Sequence, residues 1–551
     1  MHCRIAKELS LLSIALCLGI IVSTNINAMP VQLSGTGPDN EIVEISSSQA
    51  FLTSPDGKQM IYQAGPVRNS ALRLYSVLLT GEEPAIELTT TSTGGAFDYK
   101  ISPDSKYVVF KSASGYYSVP INGGAPVKLN TRFANDQKFE ISPDSSTVVI
   151  LDFIRLWSIP IAGGVNIDIA PTQPVPSQDI TDFKIDPNSR YVVYPFVQNS
   201  GSSAGNPLSS HLNRVAIDGM EPAVDLLDGA NDLESIVSFS FSPDGSRVVY
   251  SILTQADFVF AINSVSIDGG TTARLSGAPM ANTNAVGPRI SRDGETVYFE
   301  IADFGIGGVN RVLSAPINGG LITEHINLDS DLINAGRLLK ESSQYLFIKR
   351  NRFTGLQEVL LKDLSEDTEA ISLLANISPD ESLRTLSVAP MENSAAIHFE
   401  KPNVVAGTSI HKVIGLNILD KTSTTVFEEE SADQVFYSRE GTLLIDQSGL
   451  QVLLEDNNAS PTGVSGLKAV SLVDGEIFQL SDATANGSLV LLHGLTVDGS
   501  KAIYAAGEES TGTNANYFIV DLKGLGNNSA IPDEACFTVL TKDKKTVSFC
   551  L

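Results

Sequence analysis

The stretch DYKISPDSKYVVFKSASGYYSVPINGGAPVKL, residues 98–129, contains the pattern that decides the fold. It combines an alternating strand, a Ser-Pro-Asp turn, an apolar strand, a third strand, a Gly-Gly turn and a fourth strand. Pro fixes φ and Asp accepts hydrogen bonds from the following backbone N–H groups, so SPD reverses the chain. Asn-Gly supplies the positive φ angles of a tight hairpin. The stretch therefore predicts a four-stranded antiparallel sheet.

The same pattern recurs along the chain with a period of about fifty residues, which is typical of a propeller blade. Its turns predict an all-β protein anchored at Asp56, Asp104, Asp144, Asn188, Asp244 and Asp293, and then, in weaker copies, at Glu341, Met391, Glu440, Asp498 and Asp543. The copy ISPD at 377–380 is followed by ESLRTL instead of an apolar strand, so Asp380 is assigned to a loop.

The turns predict ten complete blades and a final strand pair at 537–549. PVQLSG, residues 30–35, resembles the fourth-strand pieces PVKL and TARLSG, and if it completes the last blade the termini close a ring. Because single propellers typically have four to eight blades, the pattern favours two tandem propellers. Strong repeats would occupy 29–330 and degenerate repeats 331–551. One large ring closed by the termini is the alternative.

These repeats resemble the TolB-like (WD-like PD repeat) β-propeller family, whose unit is a strand, SPDG, two further strands and a Gly-Gly turn. The resemblance implies a propeller that binds other molecules without catalysis. The whole TolB protein carries an α/β domain before its propeller. Here the first repeat starts near residue 41 and leaves no room for that domain, so the TolB role with the Pal lipoprotein is not carried over.

The first 28 residues have the order of a secretory signal peptide: Arg4 and Lys7, an apolar run from Leu9 to Ser23, and small residues up to Ala28. We therefore expect a periplasmic or secreted protein that does not span the membrane. The cysteines outside this segment, Cys536 and Cys550, lie opposite each other in a predicted hairpin and are expected to form a disulfide. Two buried free thiols are the alternative.

The net charge of −26, from 63 acidic and 37 basic residues, argues against nucleic acid as a partner. GSSAG (201–205) matches a nucleophile-elbow pattern at Ser203, but it lies in a polar Gly/Ser loop without the required strand and helix. The histidines show no metal-ligand spacing, and His398, in an apolar strand, is expected to be a core residue. No catalytic residue, metal site or cofactor is predicted.

Charges recur on the first strand of successive blades, which faces the axis of a propeller. The candidate site residues are those two and four places before the first turn residue, where the period of two puts them on one face: Asp98, Lys100, Lys138, Glu140, Asp182, Lys184, Arg289 and Arg337. Leu52, Phe436 and Val539 interrupt this column. The charges either pair between blades or form a polar channel mouth that binds a ligand or peptide.

The sequence thus favours an exported, non-enzymatic propeller that binds a protein or cell-envelope component through its loop face and channel. A propeller hydrolase or lyase acting on peptide or polysaccharide is one alternative. A glycan-binding module, recognisable by aromatic residues clustered on one rim, is the other.

Overall fold

A computed structural model of the 551-residue chain describes most of the repeat region. The described residues are 30–34, 51–65, 72–130, 136–152, 155–170, 178–180, 182–198, 209–227, 234–254, 258–277, 282–339, 341–403, 408–431, 443–456, 466–481, 488–508, 516–522, 536–540 and 546–550. The predicted signal peptide and the GSSAG segment lie outside them. The described residues form β-strands and turns, with no helix.

The first half of the repeat region forms five antiparallel sheets in chain order. Blade 1 contains β2 (Phe51–Thr53), β3 (Gln59–Ala64), β4 (Arg73–Leu78) and β5 (Ile86–Glu87). Blade 2 contains β6 (Ala96–Ile101), β7 (Tyr107–Ser112), β8 (Gly115–Pro120) and β9 (Val127–Asn130). Blade 3 contains β10 (Asp136–Ile141), β11 (Thr147–Asp152), β12 (Arg155–Pro160) and β13 (Ile167–Asp168). Blade 4 contains β14 (Gln178–Ile180), β15 (Lys184–Ile185), β16 (Tyr191–Gln198), β17 (Ser209–Ala216) and β18 (Val224–Asp225). Blade 5 contains β19 (Glu234–Phe241), β20 (Arg247–Thr254), β21 (Phe260–Ser266) and β22 (Ala273–Arg274).

The second half forms five more sheets of the same kind. Blade 6 contains β23 (Thr283–Ile290), β24 (Thr296–Asp303), β25 (Gly308–Pro316) and β26 (Thr323–Asn327). Blade 7 contains β27 (Leu332–Leu339), β28 (Gln344–Arg350), β29 (Gln357–Asp363) and β30 (Ile371–Ile377). Blade 8 contains β31 (Ser382–Val388), β32 (Ser394–Asn403), β33 (Thr408–Asn417) and β34 (Thr422–Ser431). Blade 9 contains β35 (Leu444–Ile445), β36 (Gln451–Asp456), β37 (Gly466–Ser471) and β38 (Ile477–Gln479). Blade 10 contains β39 (Ser488–Leu495), β40 (Lys501–Glu508), β41 (Asn516–Asp521) and β1 (Val31–Gln32).

Consecutive blades are joined by hydrophobic packing all the way around. Among the described residues there are ten core clusters, and each takes its side chains from two neighbouring blades. One of them packs Val312 of blade 6 against Phe347 of blade 7, across the position near residue 330 where two propellers would separate. The ten blades therefore form a single ring, which was the alternative to two tandem propellers.

The ring closes between the two ends of the repeat region. Strand β1 pairs with β41 through Val31 and Ile519, and the Leu33 backbone N–H donates to the Tyr517 carbonyl at 2.8 Å. Leu33 is fully buried in the cluster shared by blades 10 and 1. Residues 30–34 thus supply a fourth strand, as their resemblance to other fourth strands indicates, and they complete the tenth blade.

The predicted final strand pair is a separate hairpin. Strands β42 (Cys536–Leu540) and β43 (Thr546–Cys550) form a two-stranded sheet outside the ten described blades. Cys536 and Cys550 are backbone partners in its register, as the sequence predicts. The disulfide between them stays a prediction.

The Ser-Pro-Asp turns form as predicted. In blade 2, the Ser102 hydroxyl donates to the Asp104 carboxylate at 2.7 Å, and that carboxylate accepts the Lys106 N–H at 3.1 Å.

The predicted anchor Glu440 is wrong, because the ninth-blade turn is Asp446-Gln447-Ser448-Gly449. The Asp446 carboxylate replaces the usual serine and accepts the Leu450 and Gln451 N–H groups. Asp380 lies in the turn between β30 and β31, outside any blade interior.

The turns also bond to one another between blades. The backbone N–H groups of Asp56, Asp104 and Asp144 each donate at 3.0 Å to a serine hydroxyl in the next blade: Ser105, Ser145 and Ser189 respectively. All three serines have positive φ, near 60°. A left-handed conformation costs a non-glycine residue about 1–2 kcal/mol, and the hydrogen bond between blades offsets part of that cost.

We predict that Ser145→Ala destabilises the protein by about 1 kcal/mol, because it retains the left-handed strain and leaves the Asp104 N–H without its acceptor. Ser145→Gly loses the same bond but relieves the strain, so its stability should lie close to wild type. Urea unfolding followed by circular dichroism measures both. Equal stability of Ser145→Ala and wild type would contradict this account.

Ring closure provides a second prediction. Leu33→Ala should lower the free energy of unfolding by about 2–5 kcal/mol, because it opens a cavity in the closing cluster. Leu321→Ala is the matched control, since Leu321 is 84% exposed, and its effect should stay within about 0.5 kcal/mol. If both variants unfold at the same urea concentration, closure through segment 30–34 is not a major source of stability.

Candidate functional site

The first strand of blades 2 to 5 has one face packed against the preceding blade, and the column residues lie on its other face. In blade 2, Tyr99 is fully buried between blades, while Asp98 and Lys100 on the other face are half-buried. The buried phenylalanines Phe139, Phe183 and Phe239 occupy the position of Tyr99 in blades 3 to 5. The charged column predicted from the sequence therefore lies on the opposite face of these strands.

The column charges of blades 2 to 4 are linked into one chain of ion pairs. Lys100 Nζ lies 2.7 Å from Glu140 Oε2, and Lys138 Nζ lies 3.4 Å from Glu140 Oε1. Lys138 Nζ also lies 2.9 Å from Asp182 Oδ1. These side chains are roughly one-third exposed, so each pair contributes at most about 1 kcal/mol. The chain largely neutralises this sector.

Each lysine of this sector also lies over an aromatic ring of the next blade. The distances from Nζ to the ring centroid are 5.5 Å for Lys100 and Phe139, 5.2 Å for Lys138 and Phe183, and 5.1 Å for Lys184 and Phe239. Lys184 Nζ additionally donates to the Phe239 carbonyl at 2.6 Å. Cation–π contacts of this kind contribute about 0.5–1 kcal/mol at exposed sites. The sequence signal is a lysine in the column followed, one blade later, by a phenylalanine three places before the turn.

Burial affects the ionisation of Asp98 in this column. Burial raises the pKa of its carboxyl, and the positive charge of Lys100 opposes that rise. Lys100 forms its described ion pair with Glu140 in the next blade. At Asp98 the effect of burial therefore outweighs that of the nearby positive charge.

Arg289 and Arg337 continue the column on blades 6 and 7, but in a different environment. Within the described residues neither forms an ion pair, and Arg337 donates only to the Gly336 carbonyl, at 3.2 Å.

Four further blades carry uncharged residues at the same column position. These are Ser240 and Ser387 in blades 5 and 8, and Leu52 and Leu444 in blades 1 and 9. Leu444 replaces Phe436, which lies outside the described residues, and Val539 belongs to the separate hairpin. The channel wall thus has a paired-charge sector, an arginine sector and an apolar sector.

Two of the histidines lie against each other in the core of blade 8. His398 and His411 are 0% and 2% exposed, and His398 Nε2 lies 3.2 Å from His411 Nδ1. His398 is therefore buried, as expected. Elsewhere, His211 contacts Asp225 and His325 contacts Ser314, each at 2.7 Å. In the described part of the chain, no three His, Cys, Asp or Glu side chains come together as a set that could hold a metal ion.

Exposed aromatic residues gather on one face of the ring. In an antiparallel blade, the connection between strands two and three lies opposite the Ser-Pro-Asp turns, and we call this side the loop face. Here three consecutive blades present a phenylalanine: Phe258 in blade 5, Phe304 in blade 6 and Phe353 in blade 7, which are 71%, 63% and 81% exposed. We refer to these three residues as the phenylalanine row. This row could not be predicted from the sequence, because the three surrounding loops share no motif.

A cavity of about 400 Å³ opens within this row. Phe258 and Phe304 line it together with Asn282, Thr283 and Asn284. The Asn284 side chain accepts the Phe260 N–H at 2.9 Å, and the Asn282 carbonyl accepts the Phe304 N–H at 2.9 Å. The aromatic side chains are therefore held on hydrogen-bonded loops.

A second groove, of about 350 Å³, lies between blades 8 and 9 at the Ser-Pro-Asp turns and includes Asn417 and Asp420.

The architecture and the channel wall define the class of protein: a ten-bladed β-propeller. No family model matches the sequence, and no curated protein matches it either. Among solved structures, a eukaryotic initiation factor is 10% identical with a TM-score of 0.46, covering 77% of this chain and 98% of its own. Oligogalacturonate lyase from Vibrio parahaemolyticus is 14% identical with a TM-score of 0.34, covering 61% of this chain and 98% of its own. Scores at this level do not transfer a function.

In the part of the chain that the structure describes, no helix is long and apolar enough to cross a bilayer.

The histidine pair predicts a pH dependence of stability. Burial, and secondly the charge of His411, lower the pKa of His398 to about 4, from an ordinary value of 6.5. Because the unfolded chain binds this proton more tightly than the folded one, stability is complete above pH 6.5 and falls as the pH drops toward 4, by about 3 kcal/mol in total.

His398→Gln should remove much of that slope. The measurement is the free energy of unfolding of both proteins between pH 7 and pH 4.5, a window above the pKa of most carboxylates. The neighbouring charges of Glu400 and Arg384 are the same in both proteins, so the difference isolates the histidine. Parallel pH profiles would show that His398 does not titrate as described.

Proposed function

We propose that this protein is an exported, non-catalytic propeller that binds a protein of the cell envelope through its loop face and channel. The observation that carries the proposal is the phenylalanine row, in which three consecutive blades expose a large aromatic side chain on the same face. Clustered exposed aromatic residues are enriched at protein interfaces and supply much of the binding energy there. Their repetition at equivalent positions of three blades favours an extended partner.

The local backbone around the row supports a binding role. Phe258 is 71% exposed and has a positive φ of 55°. A bulky residue in this region is strained by about 1–3 kcal/mol, and such strain often marks a functional position. Thr254 holds the position by accepting the Val259 N–H at 3.2 Å and donating to the Val259 carbonyl at 3.1 Å. Preorganised aromatic side chains lose little entropy on binding.

Phe304 and Phe353 are held in similar ways. The Asp303 carboxylate accepts the Gly305 N–H at 2.8 Å, which fixes the tip that carries Phe304. The Asn351 side chain accepts the Phe353 N–H at 3.1 Å and donates to Asp331 at 3.1 Å, which ties that tip to the start of its blade. All three rings are thus presented to solvent from bonded loops.

The proposal of export and of a non-enzymatic role rests on the sequence. Residues 1–28 have the order of a signal peptide, and the repeats resemble those of TolB-like propellers. The repeats also occupy nearly the whole chain after that segment, which leaves little sequence for a separate catalytic domain. A hydrolase or lyase would instead use residues converging from several blades.

A glycan is the second candidate ligand, and the cavity between Phe258 and Phe304 favours it. Aromatic faces pack against the apolar faces of sugar rings, and the amides of Asn282 and Asn284 lie beside them as polar groups. Glycan binding would use this cavity alone, whereas a protein partner would also cover Phe353.

The test uses the chain from residue 29 onward as bait in a quantitative pull-down from envelope extract. Phe258→Ala/Phe304→Ala should reduce capture of the specific partner at least tenfold, because two central aromatic contacts are lost. The control is Met220→Ala/Leu321→Ala, which removes apolar side chains that are even more exposed, 85% and 84%, from the face of the Ser-Pro-Asp turns.

Two outcomes would contradict the proposal. Undiminished capture by the phenylalanine double variant would exclude the row as the interface. Equal loss in the control variant would show non-specific apolar adsorption. A glycan array probed with the same proteins separates the second candidate, since a sugar bound by wild type and lost only in the phenylalanine double variant, without a specific protein partner, would favour the glycan.

A further inference from the structure

The arginine sector of the channel wall combines two positive charges at the same level of neighbouring blades. Arg289 lies on β23 and Arg337 on β27, each two places before the first turn residue or its equivalent. Both therefore lie near the end of the channel at the Ser-Pro-Asp turns. Ile290 and Leu338 pack against the preceding blade, so the alternation of the strands puts Arg289 on the face toward blade 7 and Arg337 on the face toward blade 8.

These arginines are the exception in a strongly acidic protein. The chain carries a net charge of −26, and the lysines of blades 2 and 3 in the same column form ion pairs. Within the described residues Arg289 and Arg337 form none. Two like charges in one sector repel each other, and a bound anion would turn that repulsion into attraction. The arrangement is thus unfavourable alone and favourable with an anionic group between the blades.

An acid on the neighbouring strand is engaged elsewhere. Glu300 lies on β24, two residues from Tyr298, the backbone partner of Arg289, and its Oε1 accepts the Tyr345 hydroxyl at 2.5 Å across the boundary between blades 6 and 7. Gly336 makes room for this bond, because a Cβ there would overlap the Tyr345 hydroxyl. The absence of a side chain at Gly336, next to Arg337, therefore leaves room for the hydrogen bond between Tyr345 and Glu300.

The charges of both arginines act on the buried Tyr345 hydroxyl. Burial raises the pKa of Tyr345 well above its usual range, the Glu300 carboxylate adds to the rise, and the charges of Arg289 and Arg337 oppose it. The two arginines thus act on one point of the wall from adjacent blades. Ser240 and Ser387, on blades 5 and 8, flank them in the column with further hydroxyl groups.

We propose that Arg289 and Arg337 form a binding site for one carboxylate group of the ligand at this end of the channel. A guanidinium presents paired N–H donors that match the two oxygens of a carboxylate. The net charge of the protein disfavours polyanions, so the ligand is expected to carry this carboxylate on an otherwise nearly neutral body. This carboxylate site rests on the proposed function in one respect only: a ligand must enter the channel.

The experiment uses small probes and the chain from residue 29 onward, so it does not depend on the phenylalanine row. Saturation-transfer NMR compares N-acetylglycine with N-acetylglycinamide, which has the same shape without the charge. Wild type should give a signal with the acid and at least fivefold less with the amide. Arg289→Gln and Arg337→Gln should each reduce the signal of the acid at least fivefold. Their melting temperatures should equal or exceed that of wild type, because a repulsion is removed.

The matched control is Arg292→Gln. Arg292 lies three residues from Arg289, but its guanidinium is already paired with Glu341. The Arg292→Gln variant should therefore bind N-acetylglycine as the wild-type protein does. The proposal is overturned if the control loses the signal as well, if both column variants keep it, or if the neutral amide binds equally. Stronger binding of methyl phosphate through the same two arginines would overturn the choice of carboxylate.

Discussion

The whole ring depends on one closing contact between segments almost five hundred residues apart. A propeller without closure exposes two unpacked blade faces, and here it would also leave the edge of β41 unpaired; both favour aggregation. Here the pairing of β1 with β41 and the burial of Leu33 join blades 10 and 1. Because of this contact the blades form a closed ring, in which every blade packs against two neighbours. The channel wall and the row of loops on one face both depend on this closure of the ring.

The sequence predicted the blade but not the arrangement of the blades. The turn chemistry of SPDG and of Asn-Gly acts locally, so strands and turns could be assigned from short stretches. The number of rings is set by packing between blades, as between Val312 and Phe347, and no local motif encodes it. The ninth anchor is predicted at Glu440, but the turn of blade 9 lies at residues 446–449. The structure uses DQSG, in which Asp446 replaces serine, as Asp186 does in DPNS of blade 4.

The same distinction applies to the candidate site. Strand periodicity placed the charges on one face, but pairing depends on which charges meet between neighbouring blades. Lys100 meets Glu140 and Lys138 meets Asp182, whereas no acid in the column stands next to Arg289 or Arg337. The position of Glu300, held by Tyr345, could not be read from the sequence, because it depends on the open space at Gly336. The phenylalanine row was invisible for a related reason, since its loops differ in length and composition.

The most direct test of the central claim, that all the blades form one closed ring, is cryo-electron microscopy of the purified chain from residue 29 onward. The account predicts end-on class averages with ten radial blades around one open centre. Two smaller discs joined side by side, or a ring with a gap between its first and last blades, would contradict it.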